Sequence, residues 1–188
     1  MRSVVVYESM YGNSHRVADI VDDNLRQAGP VEVVPASAAT NELVRDADLL
    51  VVGGPTHIHS MSTRTSRAGA RDSSISGAEK HGTEPLSMDP HWQDPGLRDW
   101  FSTLAESEGT LAAAFDTRLD ARALLTGRAS KLIARKLVKH GYTLIAAPES
   151  FLVDNKTALL PSEIDRAAQW AIGLRTAMSA DHGHQWAG

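Results

Sequence analysis

Short, almost uninterrupted apolar runs constrain this chain most. Val4-Val5-Val6 and Leu49-Leu50-Val51-Val52 do not alternate with polar residues. Such runs suit strands of a parallel sheet covered on both faces by helices. The intervening stretches supply those helices. Val17, Ile20, Val21 and Leu25 fall at helical spacing, and Ala28-Gly29-Pro30 ends that helix. Val31 to Val34 reads as a second strand, Asn41 to Arg45 as a short helix, and Asp48 to Gly53 as the third strand. Asp94-Pro95 precedes a helix striped by Leu97, Trp100, Phe101 and Leu104. Leu111 to Phe115 is the fourth strand. Thr126-Gly127 opens a helix through His140, with Ala129, Leu132, Ile133 and Leu137 facing inward. Tyr142 to Ala147 is the fifth strand, and Pro161 to Met178 the last helix, with Ile164, Ala168, Ala171 and Leu174 on one side.

The pattern predicts a three-layer α/β fold with a doubly wound, five-stranded parallel sheet. Of the open orders, 2-1-3-4-5 puts strands 1 and 3 at the switch point, and ligands bind there, outside the carboxyl ends. A single domain is expected over residues 1–180, followed by a polar tail, 181–188. An inserted loop is expected after strand 3, over about 60–93, because Arg64, Arg67, Arg71, Gly77, Gly82, Pro85 and Pro90 punctuate a stretch with almost no hydrophobic period.

Both central strands run into small, polar residues. Strand 1 leads to Ser9-Met10-Tyr11-Gly12-Asn13-Ser14, and strand 3 to Gly53-Gly54-Pro55-Thr56-His57. The first loop has the makings of a phosphate cradle. Ser9 and Ser14 carry hydroxyls, Asn13 an amide, and Gly12 permits close backbone approach or positive φ. The following helix adds unpaired N–H groups and the positive end of its dipole. The loop contains no lysine or arginine, and neither G-x-x-x-x-G-K-[ST] nor G-x-G-x-x-G is present. A neutral cradle of this kind suits one terminal phosphate. An ordinary strand-to-helix turn with Ser14 as a cap is the plain alternative.

At these residues the chain resembles the flavodoxin-like family, whose first loop wraps the phosphate of FMN. Ser9 to Gly12 is similar to the S-x-Y-G loop of flavodoxin-like NAD(P)H:quinone oxidoreductases, while Gly12-Asn13-Ser14 resembles the electron carriers. Gly54-Pro55-Thr56 resembles the G-x-P-T segment that lies against the isoalloxazine ring in the quinone reductase branch. The resemblance implies FMN as cofactor, held by Ser9, Met10, Tyr11, Gly12, Asn13, Ser14, Pro55, Thr56 and His57. It also places Asp116, Thr117 and Asp120 in the third cofactor loop. Tyr11 and His57 are candidates to meet the ring, as are Trp92 and Trp100, although Trp100 falls in a core stripe.

Two redox functions follow as expectations. One is an FMN-binding flavodoxin-like protein that passes electrons to a redox partner protein through a non-covalent flavin. The other is an FMN-dependent NAD(P)H:quinone-type reductase with a small electron acceptor, the insertion closing over the ring. A cofactor-free flavodoxin-fold interaction module is the non-redox alternative, and the basic helix bearing Arg128, Lys131, Arg135, Lys136, Lys139 and His140 would serve it. Otherwise that helix is a solvated face.

Composition narrows the field. With no cysteine, thiol redox and zinc–thiolate chemistry are excluded, so a redox role requires a bound cofactor. A net charge of −4 argues against nucleic acid as the main partner. No apolar run reaches the roughly 20 residues of a membrane span, and Met1-Arg2-Ser3 does not lead into a signal peptide. A cytoplasmic protein is expected. His57-x-His59 and His182-x-His184 lack the further ligands that a metal site needs, so none is expected.

Overall fold

A computed structural model describes residues 1–57, 60–121 and 126–185. The sheet has the order β2 (Val31–Pro35), β1 (Ser3–Tyr7), β3 (Leu49–His57), β5 (Leu111–Leu119), and then β6 (Thr143–Leu144) and β7 (Glu149–Val153), both beside β5. These pairings are all parallel. Counting β6 and β7 as one position gives the expected 2-1-3-4-5. The fifth strand is broken: Ala112 pairs with Leu144 but Phe115 with Glu149, so two extra residues bulge out between β6 and β7, in the segment that contains Pro148, which has no N–H to give the ladder.

Alternation along the buried strands sends side chains to two cores. Val4, Val6, Leu50, Val52, Ala112 and Ala114 face α4 (Leu97–Thr103) and α5 (Ala129–Lys139) through Leu97, Trp100, Phe101, Ile133 and Leu137. Val5, Tyr7, Leu49, Val51, Ala113 and Phe115 face α1 (Asn13–Leu25) and α6 (Pro161–Gln185) through Val17, Val21, Leu25, Ala171 and Leu174. Ala167, not Ala168, is the fully buried alanine at the start of the α6 stripe. α6 also continues past Met178 to Gln185, so helix extends into the stretch expected to be a polar tail.

Three expectations about boundaries change, the first two because of strand pairing and the third because of a local turn. β3 runs on to His57, pairing Pro55 with Thr117 of β5 and, antiparallel, Thr56 and His57 with β4 (Ser60–Met61). β5 runs on to Leu119 because β7 pairs with Phe115 to Leu119. Asp116, Thr117 and Arg118 are therefore strand residues. α5 begins at Ala129, with Gly127 in a positive-φ turn at 76° ahead of it.

The largest correction concerns the insertion. Instead of a loop, residues 64–81 form α3 (Arg64–His81). Thr63 Oγ1 accepts from Ser66 N at 3.0 Å while Ser66 Oγ accepts from Thr63 N at 2.9 Å, closing a capping box. Gly82, at φ 62°, ends the helix, and Thr83 N donates to Ala78 O at 3.0 Å. Only Arg67 and Ala78 of α3 are buried. A helix held by its caps and one buried cation shows no apolar stripe.

Candidate functional site

The carboxyl ends of β1, β3 and β5 open on one cavity of about 280 Å³. Ser9, Met10, Tyr11, Asn13, Ser14, Pro55, Thr56, His57 and Thr117 line it, as do Arg118, Leu119, Val153 and Thr157. Of the residues expected at the site, Gly12, Asp116 and Asp120 are not in its lining.

Gly12 shapes the first loop from behind. It takes φ 83° and stands at the N-cap of α1, and Arg16 N donates to its carbonyl at 2.9 Å. No side chain caps this helix, and its first turn carries no acidic residue. The open N–H groups of α1 thus lie at the cavity with no acidic residue in the helix's own first turn, and the carboxylate that reaches this turn, Asp89, is held by His15 Nδ1 at 3.1 Å. Ser9 Oγ is buried and has no hydrogen-bond partner. An orphan hydroxyl next to an uncapped helix end fits an anionic group such as a phosphate.

The other loop residues are tied down by the fold. Ser14 Oγ and Thr117 Oγ1 share a buried hydrogen bond of 2.8 Å, fastening the first loop to β5. Asn13 Nδ2 donates to Thr157 O at 2.5 Å and Asn13 Oδ1 accepts from Leu159 N at 3.0 Å. The amide counted toward a phosphate therefore braces the turn after β7. Thr157 holds φ 60°, a strained value for a β-branched residue, in the cavity wall. In sequence the only signal at this turn is the Asn155-Lys156-Thr157 triplet, which carries no information about the cavity.

The wall from β3 is equally constrained. A Cβ on Gly53 would run into the Phe115 ring, and one on Gly54 would come within 2.8 Å of Leu97 Cδ1. Thr56 Oγ1 accepts from Ala129 N at 2.9 Å, so its hydroxyl is spent on the first turn of α5. His57 has its pKa lowered, chiefly by burial, with Glu8 pulling upward and Arg67 pushing downward. Burial thus favours the neutral imidazole at the cavity. Tyr11 is half-buried and its hydroxyl donates to Ala70 O at 3.2 Å, which ties the loop to α3.

Asp116 is fully buried behind the cavity, where Oδ2 accepts from Ser130 N at 2.7 Å and Oδ1 has no partner. Burial raises its pKa, against the pull of the Ser130 N–H, the neighbouring serine hydroxyls and the charge of Arg128. Asp120 is exposed, its backbone N–H donating to Val153 O at 2.8 Å. Trp100 packs in the core, donating from Nε1 to Ala39 O at 2.8 Å, and Trp92 sits under the Arg71 guanidinium at 5.7 Å, away from the lining.

Sequence inspection misses two features. Arg118 brings a cation to the β5 wall: its Nη1 donates to Ala121 O at 2.7 Å and its buried Nε has no partner. Glu8 and Arg67, 7% and 3% exposed, form an ion pair of 3.0 Å beneath the site. Glu8 also accepts from Ser62 Oγ and, at 2.7 Å, from Leu97 N, while Arg67 donates to Asp94 O at 2.9 Å. This knot joins the end of β1 to α3 and α4. It also explains Gly96, where a Cβ would strike both charged groups.

The described residues hold no group of three or more His, Asp or Glu that could bind a metal ion. His59, and the side chains of His182 and His184, lie outside the described residues. Among the described residues, no helix is long and apolar enough to cross a membrane.

The doubly wound sheet with its cavity at the β1/β3 switch point defines a class of α/β ligand-binding folds. The particular fold is flavodoxin-like. Oxidised flavodoxin 1 from Bacillus cereus superposes with a TM-score of 0.63 at 15% identity, over 94% of this chain and 98% of that one. A flavodoxin described as WrbA-like from Agrobacterium tumefaciens gives 0.58 at 15%, over 95% and 98%. The rubredoxin oxygen:oxidoreductase of Desulfovibrio gigas gives 0.55 at 17%, over 95% of this chain and 36% of that one. No protein-family model matches the sequence, and no curated protein does.

Proposed function

We propose that this chain is a cytoplasmic, FMN-binding flavodoxin-like redox protein that transfers electrons to a partner through a non-covalent flavin. The orphan Ser9 hydroxyl beside the uncapped N-terminus of α1 carries the reading. Ser9 and the backbone of the loop through Asn13 and Ser14 would hold the phosphate, with Tyr11, Pro55, Thr56 and His57 forming the wall along the ring. Bound FMN would supply the redox chemistry, and the protein its position and electrostatics. The neutral His57 and the half-buried Tyr11 would exclude water from one side of the cavity.

One observation favours a second reading, an FMN-dependent NAD(P)H:quinone-type reductase. Arg118 puts an incompletely paired cation in the wall, and a fixed positive charge favours negative charge developing beside it. The knot of Glu8 and Arg67 then keeps α3 at the cavity rim, where Tyr11 meets it.

Titrating the purified chain with FMN, with riboflavin as the phosphate-free control, tests the common core of both readings by visible absorption. Saturable FMN binding with much weaker riboflavin binding is expected. Ser9→Ala should weaken FMN about tenfold, the cost of one lost charge-assisted hydrogen bond, and leave riboflavin unchanged. If neither flavin binds, both redox readings fall and an interaction scaffold remains. Steady NAD(P)H oxidation driven by benzoquinone would select the reductase; flavin reduced only through a separate reductase protein would select the carrier.

A further inference from the structure

Charge is unevenly divided along this chain. Residues 121–148 hold six Lys and Arg and no Asp or Glu, leaving 13 basic against 23 acidic residues elsewhere. A molecule with a net charge of −4 is therefore strongly polarised, and α5 carries most of its positive end. Lys131, Arg135 and Lys139 are exposed on this helix. Among the described residues none of them forms an ion pair with an acid. Arg135 Nε donates to Lys131 O at 3.2 Å, and Lys136 lies over the Phe101 ring at 5.4 Å, so the nearest contacts leave these charges unneutralised.

The same face has an apolar seam. Lys131, Ala134, Arg135, Val138, Leu144 and Pro148 line a shallow groove of about 390 Å³. Val138 is 54% exposed, more than either Leu86 or Leu119, the other large hydrophobics on the described surface. Residues 131, 135, 138 and 139 recur at helical spacing on one side of α5, which sets the valine beside the cations. The sheet path ends at β6 next to the groove, so the seam lies at a sheet edge with no further strand beyond it among the described residues.

We propose that this face docks the acidic surface of a partner protein, one that presents carboxylates around an apolar side chain able to enter the groove. An apolar centre rimmed by charge is the anatomy of a protein interface, and unpaired cations steer an acidic partner toward it. A polyphosphate backbone matches the cations but not the seam, and the excess of acids elsewhere on the chain repels it. The proposal rests on the charge and shape of α5 and not on the flavin.

A labelled synthetic helical peptide, with glutamates flanking a central leucine, tests it by fluorescence anisotropy against the full chain. Saturable binding at low salt is expected, weakening as salt rises. Replacing the peptide's leucine by serine should weaken it, as should Val138→Ser on the protein. Lys131→Glu with Arg135→Glu should weaken it about tenfold; Lys131→Gln with Arg135→Gln, should the reversal disturb the helix, by a smaller factor. Arg64→Glu with Arg71→Glu, on α3, should change nothing. The surface is refuted by absence of saturable binding at low salt, by insensitivity to the α5 substitutions, or by tighter binding of a DNA duplex or of phosphatidylserine vesicles. Repeating the titration with FMN present separates this proposal from the cofactor: peptide binding should be the same with and without it.

Discussion

Arg67 and the cations of α5 are the same chemistry in opposite settings. Arg67 is buried, and each of its contacts is matched: Glu8, Ser62 and Asp94 O surround it. Lys131, Arg135 and Lys139 stand in water with no acid beside them. Desolvating a charge is costly unless partners replace the water, so Arg67 can occupy one arrangement only and thereby fixes α3. The exposed cations incur no such cost and constrain nothing within the fold, which leaves them free for a partner. Burial turns charge into architecture, and exposure leaves it as recognition.

The most severe way to break this contrast is Arg67→Ala. It strands Glu8 without its cation, and about 3–5 kcal/mol of stability should be lost in urea unfolding. Replacing both partners, Glu8→Leu with Arg67→Met, should cost much less than the single change, because no buried charge is left behind. A single-variant loss below about 1 kcal/mol would mean that the pair is not desolvated.

Asp116 sharpens the contrast as a buried acid with only half its bonds made. Its folded pKa is raised, so between the ordinary value near 4 and the raised one the folded state binds more protons than the unfolded state. Stability from this group therefore falls as pH rises through that window. Asp116→Asn should abolish that fall and be at least as stable as the parent at neutral pH. Urea midpoints measured across mildly acidic pH check it.

His57 runs the other way. Its folded pKa is depressed, so below the ordinary value near 6.5 the unfolded state takes up the proton first. Stability present at neutral pH is lost as pH falls toward the folded pKa. His57→Gln should flatten this acid limb in the same measurement. The smallest effect is expected at the exposed end of the comparison, where Lys131→Glu and Arg135→Glu should each change stability by no more than about 0.5 kcal/mol.

Much of the frame was legible because it rests on local patterns. Continuous apolar runs, the Gly29 stop and the helical stripes of α1 and α4 gave the strand order and both central loops. The β5 and β7 extension escaped notice because Asp116, Thr117 and Arg118 become strand only when Glu149 to Val153 pairs with them. α3 escaped notice because only two of its residues are buried.

The sequence by itself determined that a parallel sheet would carry a neutral, hydroxyl-rich loop after β1 and a small-residue segment after β3, since backbone preference and hydrophobic period are properties of consecutive residues. Only the tertiary structure decided which donors stay free. It spent Asn13 on the Thr157 turn, Thr56 on α5 and Ser14 on Thr117, and left Ser9 unpartnered. It also brought Arg118 into the wall and set Glu8 against Arg67, 59 positions along the chain. Which polar groups find partners depends on contacts between distant segments, and no local pattern encodes them.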